Sequence, residues 1–529
     1  MLPKLPISIS NFKQLRTEGY LYIDKTAFAH RMLTSGEKYY FLARPRRFGK
    51  SLLVSTLYAA LTSQRELFHG LAITAADYHW QLFGVIKLDF SLIAAKNAVE
   101  FNNELSNLLE PIIDQYQLNI TFAYNQPIAT FRKIVYALYA KFGRVAVLID
   151  EYDSPILRQL QNQTLASEIR DELQALFRAI KGLNEQIDFV FITGVSSFSK
   201  AGLFSGLNNL YVITLAAQYS AVCGYTESEI DQYFTPYLQD WSQHSLSDLT
   251  KLRAQIKTWY NGYHFSPTTP AIYNPFSLTN AVHAQCLQNF WIQSGAPSFL
   301  IAELNKQYRA DEYQLLNPET FAITPSDLGA FDIGTISLPV LMFQTGYLTI
   351  TDYDETRSAY HLGYPNYEVR EAAQSYLLAT FTNTNSANIN RITLKLWTAW
   401  NEQDITAAVH TLKTLFAQVP FPLHIPRESF YHSLFQMICS TANIDCQSEY
   451  NTSHGTIDAV LNLPKVLYIV EIKFNATAQT ALQQIITKRY YEPFLATTKP
   501  IILLGINFQK AAGDFTLTYE YQNWVPKDH

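Results

Sequence analysis

The segment Arg44-Pro-Arg-Arg-Phe-Gly-Lys-Ser51 constrains this chain more than any other. It stands between a short apolar run, Tyr39–Ala43, and a stretch with helical spacing, Ser51–Leu61. Gly49 lets the backbone turn so that successive N–H groups face one point. The helix that begins there adds the positive end of its dipole. Lys50 contributes a point charge and Ser51 a hydroxyl. The result is a cradle for phosphate, and it matches the end of the pattern GxxxxGK[ST], where the lysine meets β and γ phosphates and the hydroxyl meets Mg²⁺. Arg44 stands where that pattern has its first glycine. Arg46 and Arg47 suit a phosphate or a solvated basic turn equally.

A loop of this kind needs a strand before it and a helix after it, and the flanking sequence supplies more of both. Tyr39–Ala43, Val85–Phe90, Val145–Ile149, Phe189–Thr193 and Leu210–Leu215 are short, continuous apolar runs. Continuous runs suit strands buried on both faces of a parallel sheet. Ser51–Leu61 and Ala166–Gly182 have helical spacing. The alternation predicts a doubly wound α/β domain over residues 1–220. Two further runs end in useful groups. Val145-Ala-Val-Leu-Ile-Asp-Glu-Tyr152 would deliver Asp150 to a Mg²⁺ ion and Glu151 to an attacking water. Phe189–Ser197 ends in hydroxyls that suit either a γ phosphate or an ordinary turn.

The chain is long enough for more than this. At 529 residues it exceeds one ordinary domain, and a prior of roughly 150 residues each suggests about three. Residues 221–390 read as a mostly helical middle region, with strand near Leu348–Tyr353 and Tyr360–Leu362 and turns at Trp259–Phe265 and Ile272–Ser277. Residues 391–529 read as a third unit: a helical stretch Arg391–Gln418, a helix Glu428–Ala442, strands Thr456–Asn462 and Val466–Phe474, a helix Thr477–Phe494 and a strand Ile501–Phe508.

That unit holds the second constellation. Asp458 precedes Glu471 by thirteen positions, and Lys473 follows two later. Glu471 and Lys473 project from one face of a strand, and a hairpin can bring Asp458 beside them. Two carboxylates with a lysine can hold Mg²⁺ and orient a hydrolytic water. An ion pair on an edge strand has the same spacing. The surrounding strand, Val466-Leu-Tyr-Ile-Val-Glu-Ile-Lys473, is very apolar, and charges in such a strand are costly without a purpose. Glu428, at a helix start, completes the acidic cluster. His432, four residues on, reads as a partly buried surface histidine or as a buttress.

Composition narrows the partners. The balance of 40 Lys and Arg against 45 Asp and Glu gives −5, which excludes a chain coated in positive charge but not a basic cleft. Residues 425–495 carry five basic and six acidic side chains, a balance of −1. Phosphate contacts dominate nucleic-acid affinity, so a grip supplied elsewhere, by an oligomer or by a protein partner is expected. Cys223, Cys286, Cys439 and Cys446 form no CxxC pair or disulfide framework. No apolar run reaches the roughly 20 residues that span a bilayer, and Met1–Ser10 lacks the features of a signal peptide. A cytoplasmic protein without membrane contact is expected.

Two resemblances follow from these residues. Phe41–Leu52, Leu148-Ile-Asp-Glu-Tyr-Asp-Ser-Pro155 and Trp259–Phe265 resemble the AAA-ATPase-like domain of many bacterial proteins, over residues 5 to 280. In that family the loop often lacks the first glycine. The resemblance implies an ASCE-type P-loop NTPase that binds ATP and Mg²⁺. Glu428–His432, Gly455–Asp458, Tyr468–Lys473, Ala481–Ile485 and Tyr490-Tyr491 resemble the PD-(D/E)XK nuclease fold, in the domain that commonly follows this ATPase-like one. In the family Thr456 is usually arginine. The combined expectation is an ATP-hydrolysing protein coupled to a Mg²⁺-dependent nuclease acting on DNA. The alternative is a nucleotide-dependent switch whose nuclease fold binds without cutting.

Overall fold

The computed structural model describes residues 2–160, 162–197, 203–207, 209–246, 248–291, 321–328, 337–382, 384, 386–419, 427–511 and 514–524. Those residues fall into two compact units, divided after Val369. The boundaries expected near 220 and 390 are therefore corrected. Described residues from 221 to 369 belong to the first unit because they pack onto its loops. Gly224 N donates to Phe48 O at 3.2 Å, Lys25 pairs with Glu229 at 2.6 Å, and Phe48 of the glycine loop meets the rings of Tyr263 and Phe265.

The first unit centres on a parallel sheet. Its strands are β1 (Tyr39–Ala43), β2 (Gly84–Asp89), β3 (Val145–Asp150), β4 (Ile187–Gly194) and β5 (Tyr211–Val212), in the order β2-β3-β4-β1-β5. β1 and β3 are buried along their whole length. That is why their sequences read as unbroken apolar runs. β4 lies between β1 and β3, so the strand that feeds the glycine loop and the strand that ends in Asp150 are separated by one strand, as an ASCE-type NTPase requires. The expected strand Leu210–Leu215 is shorter. After Val212 the ladder stops, since the Thr214 hydroxyl turns to accept from Ala43 N at 3.0 Å. Helices Lys50–Leu61 and Pro127–Phe142 pack on β3. A small antiparallel sheet of β6 (Ala322–Ile323), β7 (Thr349–Asp354) and β8 (Ala359–Gly363), in the order β6-β8-β7, completes the unit.

The second unit is a mixed sheet with helices. Its strands are β9 (Asp445–Thr452), β10 (Gly455–Asn462), β11 (Leu467–Phe474), β12 (Ile501–Ala511) and β13 (Asp514–Trp524). The order is β13-β12-β11-β10-β9, and only the β11–β12 pair is parallel. β9 and β13, the two edges, are absent from the sequence reading. β9 is Asp-Cys-Gln-Ser-Glu-Tyr-Asn-Thr, exposed at every other residue. The helical stretch 391–418 is two helices, Ser386–Asn401 and Ile405–Gln418. Gln403 takes a left-handed φ of 62° between them, and the Asp404 carboxylate caps the second by accepting from Ala407 N at 2.9 Å. The helix expected over 477–494 ends at Thr487, ahead of Arg489 at φ 51°.

Gly505 sets how closely the helix Ala478–Thr487 approaches β12. A Cβ there would lie 2.3 Å from Ala478 O and 2.5 Å from Leu482 N. Both are backbone atoms that cannot rotate away. Gly505→Ala is expected to push the helix off the sheet and cost about 3 kcal/mol. Urea denaturation of the variant, followed by circular dichroism, measures it.

Candidate functional site

Two sites emerge, one in each unit. The first lies at the carboxyl ends of β1, β3 and β4, where open α/β sheets bind ligands. Gly49 has φ 94°, a left-handed value that places it as the cap of the helix Lys50–Leu61. Lys50 is buried, and its Nζ donates to the carbonyls of Arg44 and Pro45, 3.1 Å each. The Ser51 hydroxyl lies close enough to the Asp150 carboxylate to favour its charged form. Burial pushes the Asp150 pKa up; Ser51 and Lys50 oppose the shift, while Glu151 and Asp89 add to it. Asp89 ends β2 directly beside Asp150 in the sheet register.

A cavity of about 410 Å³ opens on this loop. Arg46, Arg47, Gly49, Lys50, Ser51 and Glu151 line one side of it. Asp150 is not among its lining residues; it stands behind Ser51 and beside Glu151, which are. Residues 6–10 and 275–280 supply much of the rest. Such a volume is ordinary for a small-molecule site, which runs to roughly 300–1,000 Å³. Arg47 takes φ 65° and lays its guanidinium 4.8 Å above the Phe276 ring. Arg46 is exposed.

Arg44 does something the sequence reading did not foresee. It is 1% exposed and points away from this cavity. Its guanidinium donates to Ala43 O at 3.0 Å, Thr214 O at 2.6 Å and Tyr219 O at 3.2 Å, and lies 3.9 Å from the Phe265 ring centre. A glycine could not make this bolt. Of the two readings left open for the hydroxyls after β4, Ser196 takes the structural one. The Ser196 hydroxyl donates to Asp153, which also accepts from Ser196 N at 2.6 Å and Val195 N at 3.1 Å. Ser196 is committed to tying β4 to the end of β3, so it is not a free γ-phosphate sensor. Asp153, three residues after Asp150, is part of the quoted segment Leu148–Pro155, but the sequence reading gives it no role of its own.

The second site lies on β10 and β11. Their ladder begins at Ala459 opposite Val470. One residue earlier the strands part, and Asp458 Oδ2 accepts from Ile472 N at 2.7 Å instead. Lys473 Nζ lies 3.0 Å from Glu471 Oε1 and 3.5 Å from Glu428 Oε1. Glu428 Oε2 accepts from Phe474 N at 3.2 Å. The four residues expected from the sequence, Glu428, Asp458, Glu471 and Lys473, are thus brought together. Two more join them. Gln484, from the helix that Gly505 admits, donates to Glu471 Oε1. His432 Nε2 hydrogen-bonds the carbonyl of Asp458, which makes it a buttress of the site. Gln484 was quoted only as part of a helix; its role depends on how close that helix comes.

Glu471 is the unusual member. Its side chain is 1% exposed and its Oε2 has no partner. Burial first, then the charge of Asp458, pushes its pKa up to about 7, against the pull of Lys473. Burial also raises Asp458. An unbonded buried carboxylate oxygen beside a second carboxylate fits a hard cation. Among the described residues no group of three ligating side chains forms a metal cage. Glu428 faces Lys473 instead. Magnesium keeps several waters and needs only one or two carboxylates.

The sign of the Glu471 shift gives a test. Its folded pKa stands above the ordinary 4.5, so its proton stabilises the fold most at low pH, and that contribution is lost as pH rises through about 7. A cation competes for the same carboxylate. Mn²⁺ affinity is expected to rise about tenfold per pH unit between pH 5 and 7 and to level off above. Calorimetric titration across that range checks it.

Residues 6–204 match the family described as a predicted AAA-ATPase. Residues 426–515 match the PD-(D/E)XK nuclease superfamily. A protein of Azotobacter chroococcum mcd 1, described as "Uncharacterized protein in vnfD 5'region", is 35% identical over 518 residues, 96% of each chain. The Aeropyrum pernix ORC1 protein, solved in complex with DNA, aligns with 66% of this chain and 91% of its own at 8% identity, with a TM-score of 0.23. No helix among the described residues is long and apolar enough to cross a membrane.

Proposed function

Because the chain belongs to the family that sets a predicted AAA-ATPase domain ahead of a PD-(D/E)XK nuclease domain, we propose that it is an ATP-dependent nuclease that cleaves DNA with Mg²⁺. The observation that carries the reading is the buried, unpartnered Oε2 of Glu471 beside Asp458 and Lys473. A divalent cation on Asp458 and Glu471 would polarise the scissile phosphate and lower the pKa of a water. Lys473 then holds positive charge where negative charge develops. Glu428 positions that ammonium, Gln484 orients Glu471, and His432 steadies the Asp458 backbone. In the first unit ATP would lay its β and γ phosphates on Gly49, Lys50 and Ser51, with Arg46 and Arg47 beside them. Ser51 and Asp150 serve the accompanying Mg²⁺, and Glu151, in the cavity wall, suits the attacking water. The small charge balance of the second site implies that DNA is gripped by a second copy or a partner as well.

Incubating the full chain with single- and double-stranded DNA and RNA tests this, with Mg²⁺ or Mn²⁺ and with or without ATP. Metal-dependent DNA cleavage, absent in Glu471→Ala and altered by ATP, is the expected result. No cleavage of any substrate under these conditions would leave a nucleotide-dependent binding protein.

A further inference from the structure

The helix Glu428–Thr441 carries a third functional group on the face that bears Glu428 and His432. Cys439 follows His432 by seven residues, two helical turns, so it shares their side of the helix. That side lies on the sheet, since His432 bonds the Asp458 carbonyl and the helix packs on β9. The chain turns back once after the helix, where Ile444 N donates to Cys439 O at 3.0 Å, and once more between β9 and β10. Helix and β10 therefore run the same way. Seven helical residues rise about 10 Å, and three strand residues span about the same. With His432 at Asp458, Cys439 comes level with Leu461. The residue opposite Leu461 on β9 is Cys446.

The faces agree as well. Val460 and Ile469 pack with Leu482 and Ile485 of the helix Ala478–Thr487. Leu461, the next residue, points to the other face, and so does Cys446 opposite it. Phe474, an odd number of residues after Ile469, stacks on Tyr431, so the helix Glu428–Thr441 covers that other face. Cys439 is buried, Cys446 is half-buried, and both are free thiols. Burial pushes the Cys439 thiol up, and Cys446 adds to the shift, as only a close neighbour does.

We propose that Cys439 and Cys446 are a reversible dithiol–disulfide pair that pins this helix to the edge strand β9. Cys446, the more exposed thiol, reacts first. Its thiolate attacks one sulfur of a small disulfide such as oxidised glutathione and releases one glutathione thiolate. The Cys439 thiolate then attacks the Cys446 sulfur and expels the second. The two thiols lose two electrons and two protons, and the glutathione disulfide takes up both to become two glutathiones. The consequence for the second site rests on the reading of that site as a nuclease. Closing the bond draws the two β carbons to about 3.8 Å. Glu428 and His432 ride on the helix that moves. Glu428 meets Lys473 and Phe474 N, and His432 meets the Asp458 carbonyl. The bridged form should therefore cleave less.

Oxidised glutathione added to the full chain, then alkylation and trypsin, tests the pair. Residues 428–465 hold no internal Lys or Arg, so both cysteines fall in one peptide. That peptide is expected to lose two hydrogens, to take no alkyl group, and to exceed its own glutathione adduct about tenfold or more. Dithiothreitol should restore both thiols. Cys439→Ser should hold glutathione on Cys446, and Cys446→Ser should leave Cys439 unmodified. No bridge, or a wild-type chain that stops at the Cys446 adduct, overturns the proposal. The effect on the site is read separately. Bridging should lower Mn²⁺-dependent DNA cleavage about fivefold or more, reversibly with dithiothreitol and not in Cys446→Ser. Equal cleavage by bridged and reduced chains overturns the switch. A chain that bridges but cleaves no DNA in either form would fail the nuclease reading and leave the bridge standing.

Discussion

Lys473→Ala is expected to lower DNA cleavage about a thousandfold while the second unit stays folded. Lys473 is held by two carboxylates, Glu471 at 3.0 Å and Glu428 at 3.5 Å. On the proposed reading, its loss would remove the positive charge at the reacting phosphate. It also removes the lysine that now restrains the upward shift of Glu471. Glu471 would then keep its proton to higher pH and compete less well for a cation. Part of the lost rate should therefore return when Mn²⁺ or pH is raised, and the remainder measures the direct role of the ammonium. Plasmid nicking over a Mn²⁺ series at pH 7 and pH 9 separates the two. Wild-type nicking by the variant would remove these residues from the chemistry.

The second large effect is expected at Lys50. Lys50→Ala should weaken ATP binding about a hundredfold or more, because the β and γ phosphates lose their only point charge among Gly49, Lys50 and Ser51. The variant also leaves the carbonyls of Arg44 and Pro45 without the donor they have here. A small loss of thermal stability, about 1–2 kcal/mol, should accompany the binding defect. Asp150→Asn should behave differently. It keeps the side chain's shape and an oxygen to accept from Glu151 N, as Asp150 does at 3.0 Å, so binding should persist while hydrolysis falls. Fluorescent-nucleotide binding and phosphate release, measured on both variants, distinguish these outcomes. Retained affinity in Lys50→Ala would place the nucleotide elsewhere.

Much of this is legible in the sequence alone. β1, β3 and β4 are buried on both faces, so their sequences are unbroken apolar runs and their positions were read to within two residues. Gly49-Lys50-Ser51 and Asp458, Glu471 and Lys473 were visible because each chemistry fixes a short spacing along one strand or turn. What stayed hidden depends on contacts between distant segments. Asp89 joins Asp150 only through sheet register. Gln484 reaches Glu471 only because Gly505 has no side chain. Arg44 looked like a defect in a glycine-rich pattern, since nothing local shows that its guanidinium will find carbonyls some 170 residues away. β9 and β13 escaped because an edge strand with one wetted face needs no apolar run.

The parallel pairing of β11 with β12 has one more consequence. Glu471 and Lys473 ride on the middle strand of five; both are laddered to β12, and the β10 ladder holds the same strand up to Val470, next to Glu471. Fluctuations that would misplace them must open that ladder, and such openings approach the free energy of unfolding the whole unit. The loop from Arg44 to Ser51 has no such ladder; it turns through left-handed Arg47 and Gly49 and is gathered in by one lysine. One site is an anvil, fixed before its substrate arrives. The other is a latch, whose shape is settled by whatever its lysine is holding.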